Sequence, residues 1–150
     1  MADHVHRQIL AALATALSGL ATSGANVFSE RPEAQPLQAA ELPALRIYTG
    51  PESGTIAEYG ALRTRARTLE VVIECCVKAA AAAVDTVDQM CREVEVAIDT
   101  TAPLGALGSL IEPRRFEFDI AAEAEQTVAV GRTTYEVRYH TAQVAPDAAL

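Results

Sequence analysis

Arg63-Thr64-Arg65-Ala66-Arg67-Thr68-Leu69-Glu70-Val71-Val72-Ile73-Glu74-Cys75-Cys76-Val77 is the stretch on which the fold turns. Side chains alternate across a strand, so the odd positions from Leu69 to Val77 line one apolar face. Glu70, Glu74 and the following Lys78 fall on the opposite, mostly outward face. The apolar series runs back into Arg63, Arg65 and Arg67. Arginines cannot lie bare in an aliphatic core, so the start of this strand must project beyond it. With residues 50–62 it reads as a long β-hairpin arm.

Leu42-Pro43-Ala44-Leu45-Arg46-Ile47-Tyr48 reads as the preceding strand, broken by Gly50-Pro51 with Gly54. Residues 29–41, with two prolines, read as a loop, preceded by a short extended piece at Val27-Phe28. Over residues 3–22, Val5, Ile9, Leu13, Leu17 and Leu20 recur at helical spacing, with Asp3 as N-cap and Gly24 as terminator. After the long strand, the alanine run 79–83 leads into a second helix. Its buried stripe is read as Val84, Val87, Cys91, Val94 and Ile98, ending over Asp99 to Pro103.

Residues 104–110 are a Gly-rich connection. From Arg115 to Ala121, Phe116, Phe118 and Ile120 alternate with Arg115, Glu117 and Asp119. Residues 122–131 are ambiguous. Thr133 to Thr141 is a clear last strand, with Tyr135, Val137 and Tyr139 on one face. The expected fold is α+β: a mainly antiparallel sheet, two helices on one face and a projecting β-hairpin arm. Residues 1–145 form one domain, and residues 146–150 are expected to be a loose tail.

Half of the 150 residues are hydrophobic but only 5% are aromatic, so the core should be thin and aliphatic. Twelve Lys and Arg against twenty Asp and Glu leave a charge of −8. That surface repels phosphate backbones and anionic lipid, which argues against general nucleic-acid or membrane binding. No stretch approaches the length of about 20 apolar residues needed to span a bilayer. The three cysteines read as buried thiols in a reducing cytosol, and Cys75 and Cys76 should point to opposite faces.

No residue pattern in the chain points to a reaction. His4 and His6 are two apart, which on a helix separates them by about 200° and prevents a shared metal. Gly105-Ala106-Leu107-Gly108 lacks the lysine of a phosphate loop, and no nucleophile elbow occurs. The expectation is a chain with no catalytic residues, no cofactor and no metal. Arg63, Arg65 and Arg67 are the unusual group. They read either as a solvated strand edge guarded by charge or as an arm that meets acidic surface on a neighbour. Asp85, Asp88, Glu93 and Glu95 on the second helix offer such a surface, so all seven are candidate subunit-interface residues.

Three stretches, in order, resemble the minor tail protein U family of phage lambda and its relatives, the phage tail terminators. They are Asn26-Val27-Phe28-Ser29-Glu30-Arg31-Pro32, Glu41-Leu42-Pro43-Ala44-Leu45-Arg46-Ile47-Tyr48 and Thr134-Tyr135-Glu136-Val137-Arg138-Tyr139-His140-Thr141. The resemblance implies a structural virion protein, assembled in the host cytoplasm, that forms a hexameric ring at the head-proximal end of the tail. Such a ring stops tube growth, and its partners are its own copies, the tail tube protein and a head-completion or neck protein. DNA passes through the hole without sequence-specific binding. Two other readings stay open: a different neck or tail-completion subunit, and a small-molecule module using the sheet face away from the helices.

Overall fold

A computed structural model describes residues 3–30, 36–60, 63–108, 110–123 and 125–150. The elements are α1 (Val5–Leu17), β1 (Val27–Ser29), β2 (Ala44–Glu58), β3 (Thr64–Lys78), α2 (Ala83–Thr101), β4 (Leu110–Glu123), β5 (Gln126–Ala142) and β6 (Ala145–Ala149). The strands form one six-stranded sheet in the order β1-β2-β3-β5-β4, with β6 also on β5. All pairings are antiparallel except β1 with β2. The α+β fold with helices against a mainly antiparallel sheet is therefore as the residue pattern anticipates.

The period-two reading of β3 holds along its length. Leu69, Val71, Ile73, Cys75 and Val77 join the main core with Leu45 and Ile47 of β2 and Val137, Tyr135 and Tyr139 of β5. Register explains the grouping: Ile73 sits opposite Ile47 and Thr133, and Val71 opposite Tyr135, so one face of three strands is continuous. Both helices lie on that face. From α1 come Val5, Ile9, Leu10, Leu13 and Leu17, and from α2 Val87, Met90, Val94, Ala97 and Ile98. Each of the larger of these side chains, from valine to methionine, contributes roughly 1.5–3 kcal/mol by leaving water.

The helix ends differ from expectation in instructive ways. His4, not Asp3, caps α1, its Nδ1 accepting the His6 N–H at 3.2 Å. Being a cap it lies outside the helical spiral, so the His4 and His6 rings stack at 4.1 Å instead of pointing 200° apart. Gly19, at φ 86°, ends the helix two residues past Leu17, and Gly24 serves the next turn. The alanine run stays outside α2 until Ala83. Alanine favours a helix but cannot start one, and here the chain must first turn off β3. Val84 proves half exposed while Met90 is buried in its place.

Gly50-Pro51 does not end β2. It makes an irregularity between Thr49 and Glu52, after which pairing with β3 resumes as far as Glu58. β1 pairs only with Leu45–Ile47, so beyond them β2 is an edge strand. An edge tolerates a proline that lacks an N–H. β5 flanks β3 all the way to Thr64, so the arm is a corner of the sheet stiffened by a third strand. The final residues are likewise ordered: β6 pairs with β5, Leu150 N donates to His140 O at 2.9 Å, and Gln8 Nε2 of α1 donates to Asp147 O at 2.8 Å. The loose tail expected over 146–150 is replaced by a short strand because the free edge of β5 beyond Arg138 offers it partners.

Candidate functional site

The outer face of the sheet, expected to be wet, is partly closed. Leu37, Ala44, Cys76, Val128 and Val130 form a second small core there, with Phe28 and Leu42 packed against it. Beside it Glu74 is only 3% exposed. Its Oε2 accepts from Arg46 Nε at 2.9 Å, with Arg46 Nη2 at 2.7 Å. Its Oε1 accepts from Arg132 Nε at 3.0 Å and from the Tyr48 hydroxyl at 2.6 Å. Burial alone would raise the carboxyl's pKa. The Tyr48 hydrogen bond and the Arg46 and Arg132 charges outweigh burial and hold it below the usual range. Tyr48 is pushed up to about 12 by burial and by the same carboxylate. Its geometry is that of a cross-strand clamp joining β2, β3 and β5.

The three arm arginines separate. Arg67 belongs to the main domain: Nη1 lies 3.1 Å from Glu52 Oε2, Nε donates to Thr141 Oγ1 at 3.0 Å, and its side chain is 13% exposed. The Tyr139 hydroxyl donates to the other Glu52 oxygen. The core thus ends in a paired polar plug, not in a projection that carries all three arginines. Arg63 and Arg65 are exposed and have no ion-pair partner among the described residues. They stand at the arm's end with Ile56, 43% exposed and opposite Arg65, and Tyr59, 80% exposed.

The acidic set on α2 also divides. Thr22 donates to Glu93 through N at 3.1 Å and through Oγ1 at 2.9 Å, and Gln89 Nε2 donates at 3.1 Å. Burial opposes the charge on Glu93, but these hydrogen bonds outweigh it and hold its pKa below the usual range. Glu93 therefore ties α2 to the turn after α1 and faces inward along that flank. Asp85, Asp88 and Glu95 are exposed. We expect Glu93→Ala to cost about 1 kcal/mol of stability, read by urea denaturation, and to leave self-association unchanged. A shift in assembly without a loss of stability would return Glu93 to the interface.

One surface escaped the sequence reading. β4 is an edge strand, and its helix-side residues Phe116, Phe118 and Ile120 are 49%, 41% and 58% exposed. The alternation named these residues, but alternation cannot say whether a face is covered. α2 packs on β3 and β5, where Val87 and Cys91 press on Gly131 beside the edge of the Phe116 ring, and β4 lies largely outside its footprint. Val84, Asp88, Cys91 and Glu95 follow one another at spacings of four, three and four, so they share the flank that overlooks this row.

A cavity of about 750 Å³ lies at the other end of the sheet, lined by Gln38, Lys78, Gln126 and Thr127 among others. Among the described residues no cluster of three or more metal-ligating side chains occurs, and no helix is long and apolar enough to cross a membrane.

No family model matches the chain, and no curated protein matches it. Among solved structures, it is similar to a chain in a structure described as the virion of a native gene transfer agent particle. The two are 16% identical, 92% of each chain is covered, and the TM-score is 0.40.

Proposed function

We propose that this protein is a structural subunit of a phage-like tail, a terminator whose ring caps the tail tube and receives the head. The single observation that carries a self-assembling subunit is the placement of charge. Arg63 and Arg65 are exposed at one corner of the sheet, and the exposed carboxylates Asp85 and Asp88 lie on the helix layer. Complementary surfaces set apart on one chain are suited to a contact between different patches of two copies, the kind that closes into a ring.

The terminator role within that class is supported by the resemblance of the three quoted stretches. In the fold two of them lie side by side: Val27, Phe28 and Ser29 pair with Leu45, Arg46 and Ile47. Asn26 O accepts from Leu45 N at 2.8 Å, and Ile47 O accepts from Glu30 N at 2.8 Å. The Arg31-Pro32 end of the first stretch lies outside the described residues. Under this reading the ring is hexameric, its faces meet the tube protein and a head-completion protein, and DNA threads the hole.

The test is negative-stain microscopy of lysates from the parent phage with this gene deleted. Overlong tubes lying apart from filled heads are expected. Normal virions would refute the role, and heads with no tubes would move the protein to an earlier step as a different tail subunit.

A further inference from the structure

We propose that the arm of one subunit docks in the trough between α2 and β4 of the next. Ile56 and Tyr59 cover the row Phe116, Phe118 and Ile120, and Arg63 and Arg65 meet Asp88 and Glu95. The proposal rests on the ring reading and names the contact that would close the ring.

Single exposed apolar side chains are ordinary on any surface. A row of three on one face of an edge strand, overlooked by a half-exposed Val84, is the kind of contiguous patch that marks an interaction surface. The row carries acidic neighbours on its helix side, Asp88 and Glu95, in a chain of net charge −8. Its occupant should therefore combine apolar contact with positive charge. The arm's end has that composition, with Ile56, Tyr59, Arg63 and Arg65 all exposed. Ile56 and Arg65 are cross-strand partners, so they project from the same face of the arm as one unit.

The arm cannot reach the trough of its own chain. Its end is level with Thr141 and Ala142 of β5, while the apolar row is level with Ala129, Gly131 and Thr133. The two lie at opposite edges and opposite ends of one sheet. From Gly54 to Glu58 the arm extends about 13 Å at roughly 3.3 Å per residue, the span from Phe116 to Ile120. That is enough to lie along a neighbour's β4. Two different patches on each copy give a head-to-tail contact, which repeats until the ring closes. The seven interface candidates thereby reduce to Arg63, Arg65, Asp88 and Glu95, with Asp85 further along the helix, and gain an apolar centre that charge alone did not suggest. Charged rims with an apolar middle are the usual anatomy of such contacts.

Sedimentation velocity on the purified full-length chain tests this with Arg65→Glu, which spoils the arm, and Phe118→Asp, which spoils the trough. Wild type is expected to sediment as a ring. Each variant alone should lose association on the order of ten-fold or more. Each variant keeps one good surface, so an equimolar mixture should form a one-to-one dimer and stop there. Formation of that dimer also shows that both variants are folded. Ile120→Asp, at a more exposed position, should behave as Phe118→Asp does.

Wild-type rings together with undiminished rings of both variants would vacate the trough while leaving the ring reading intact. A variant that dimerises with itself would overturn the head-to-tail arrangement. A wild-type chain that stays monomeric at high concentration would remove the second copy as occupant, and the ring reading with it.

Discussion

Glu74→Ala is expected to lower the unfolding free energy by about 3–5 kcal/mol. Domains of this kind are stable by roughly 5–15 kcal/mol in all, so the variant should unfold at markedly lower urea concentration. Glu74 is the shared acceptor for Arg46, Arg132 and Tyr48 at the centre of the sheet. Without it Arg46, 14% exposed, and Arg132 lose the carboxylate that they share. Breaking a buried ion pair from one side costs far more than an ordinary surface pair contributes.

The pH dependence gives a second signature. The folded-state pKa of Glu74 is depressed, so its contribution is complete above the unfolded carboxyl's value and is lost as pH falls through the lower folded value. The stability gap between wild type and Glu74→Ala should therefore be widest near neutral pH and narrow in acid below about 4. A gap that stays constant into strong acid would mean that the carboxylate's charge is not what stabilises the clamp.

Gly131→Val is expected to cost about 3 kcal/mol or more, at the upper end for overpacking a core. A Cβ built at Gly131 would stand 2.3 Å from a Val87 methyl carbon, 3.3 Å from the Phe116 ring and 3.4 Å from Cys91 Sγ. Val87 is short and stiff at χ1, so relief requires α2 to lift off the sheet. The smaller change Gly131→Ala should cost about 1–3 kcal/mol. Combining it with Val87→Ala should recover part of that loss, giving a coupling of about 0.5–3 kcal/mol in a double-mutant cycle. Strict additivity would show that the helix does not rest on this glycine.

These two positions mark where the sequence was hard to read. Glu74 sits in the even series of β3, and period two placed it outward, correctly as to face. Whether that face is wet depends on Arg46 and Arg132, 28 and 58 residues away, arriving on the neighbouring strands. Gly131 fell in a stretch without periodicity, since a glycine needed for close approach of a helix has no local mark.

The candidate site shows the same division. Arg63, Arg65 and Arg67 stood out together because apolar alternation runs into charge there, and Arg63 and Arg65 are indeed exposed. Arg67 continues the same alternation, yet Glu52 and Thr141 take it into the domain. Glu93 shares its helix with Asp88 and Glu95, but only the turn after α1 distinguishes it from them. Phe116, Phe118 and Ile120 had the spacing of core residues. They lie exposed because β4 is the last strand and α2 is seated one strand inward.

Local residue patterns were enough for the α+β class, the long strand β3, the two helices and the faces their side chains take. Those follow from periods of two and of about 3.6, which are properties of neighbouring residues on one chain. Tertiary structure alone decided which face is covered, which charges are paired and which strand ends the sheet. Exposure and pairing depend on residues distant along the chain arriving at the same place, and no local period encodes that arrival.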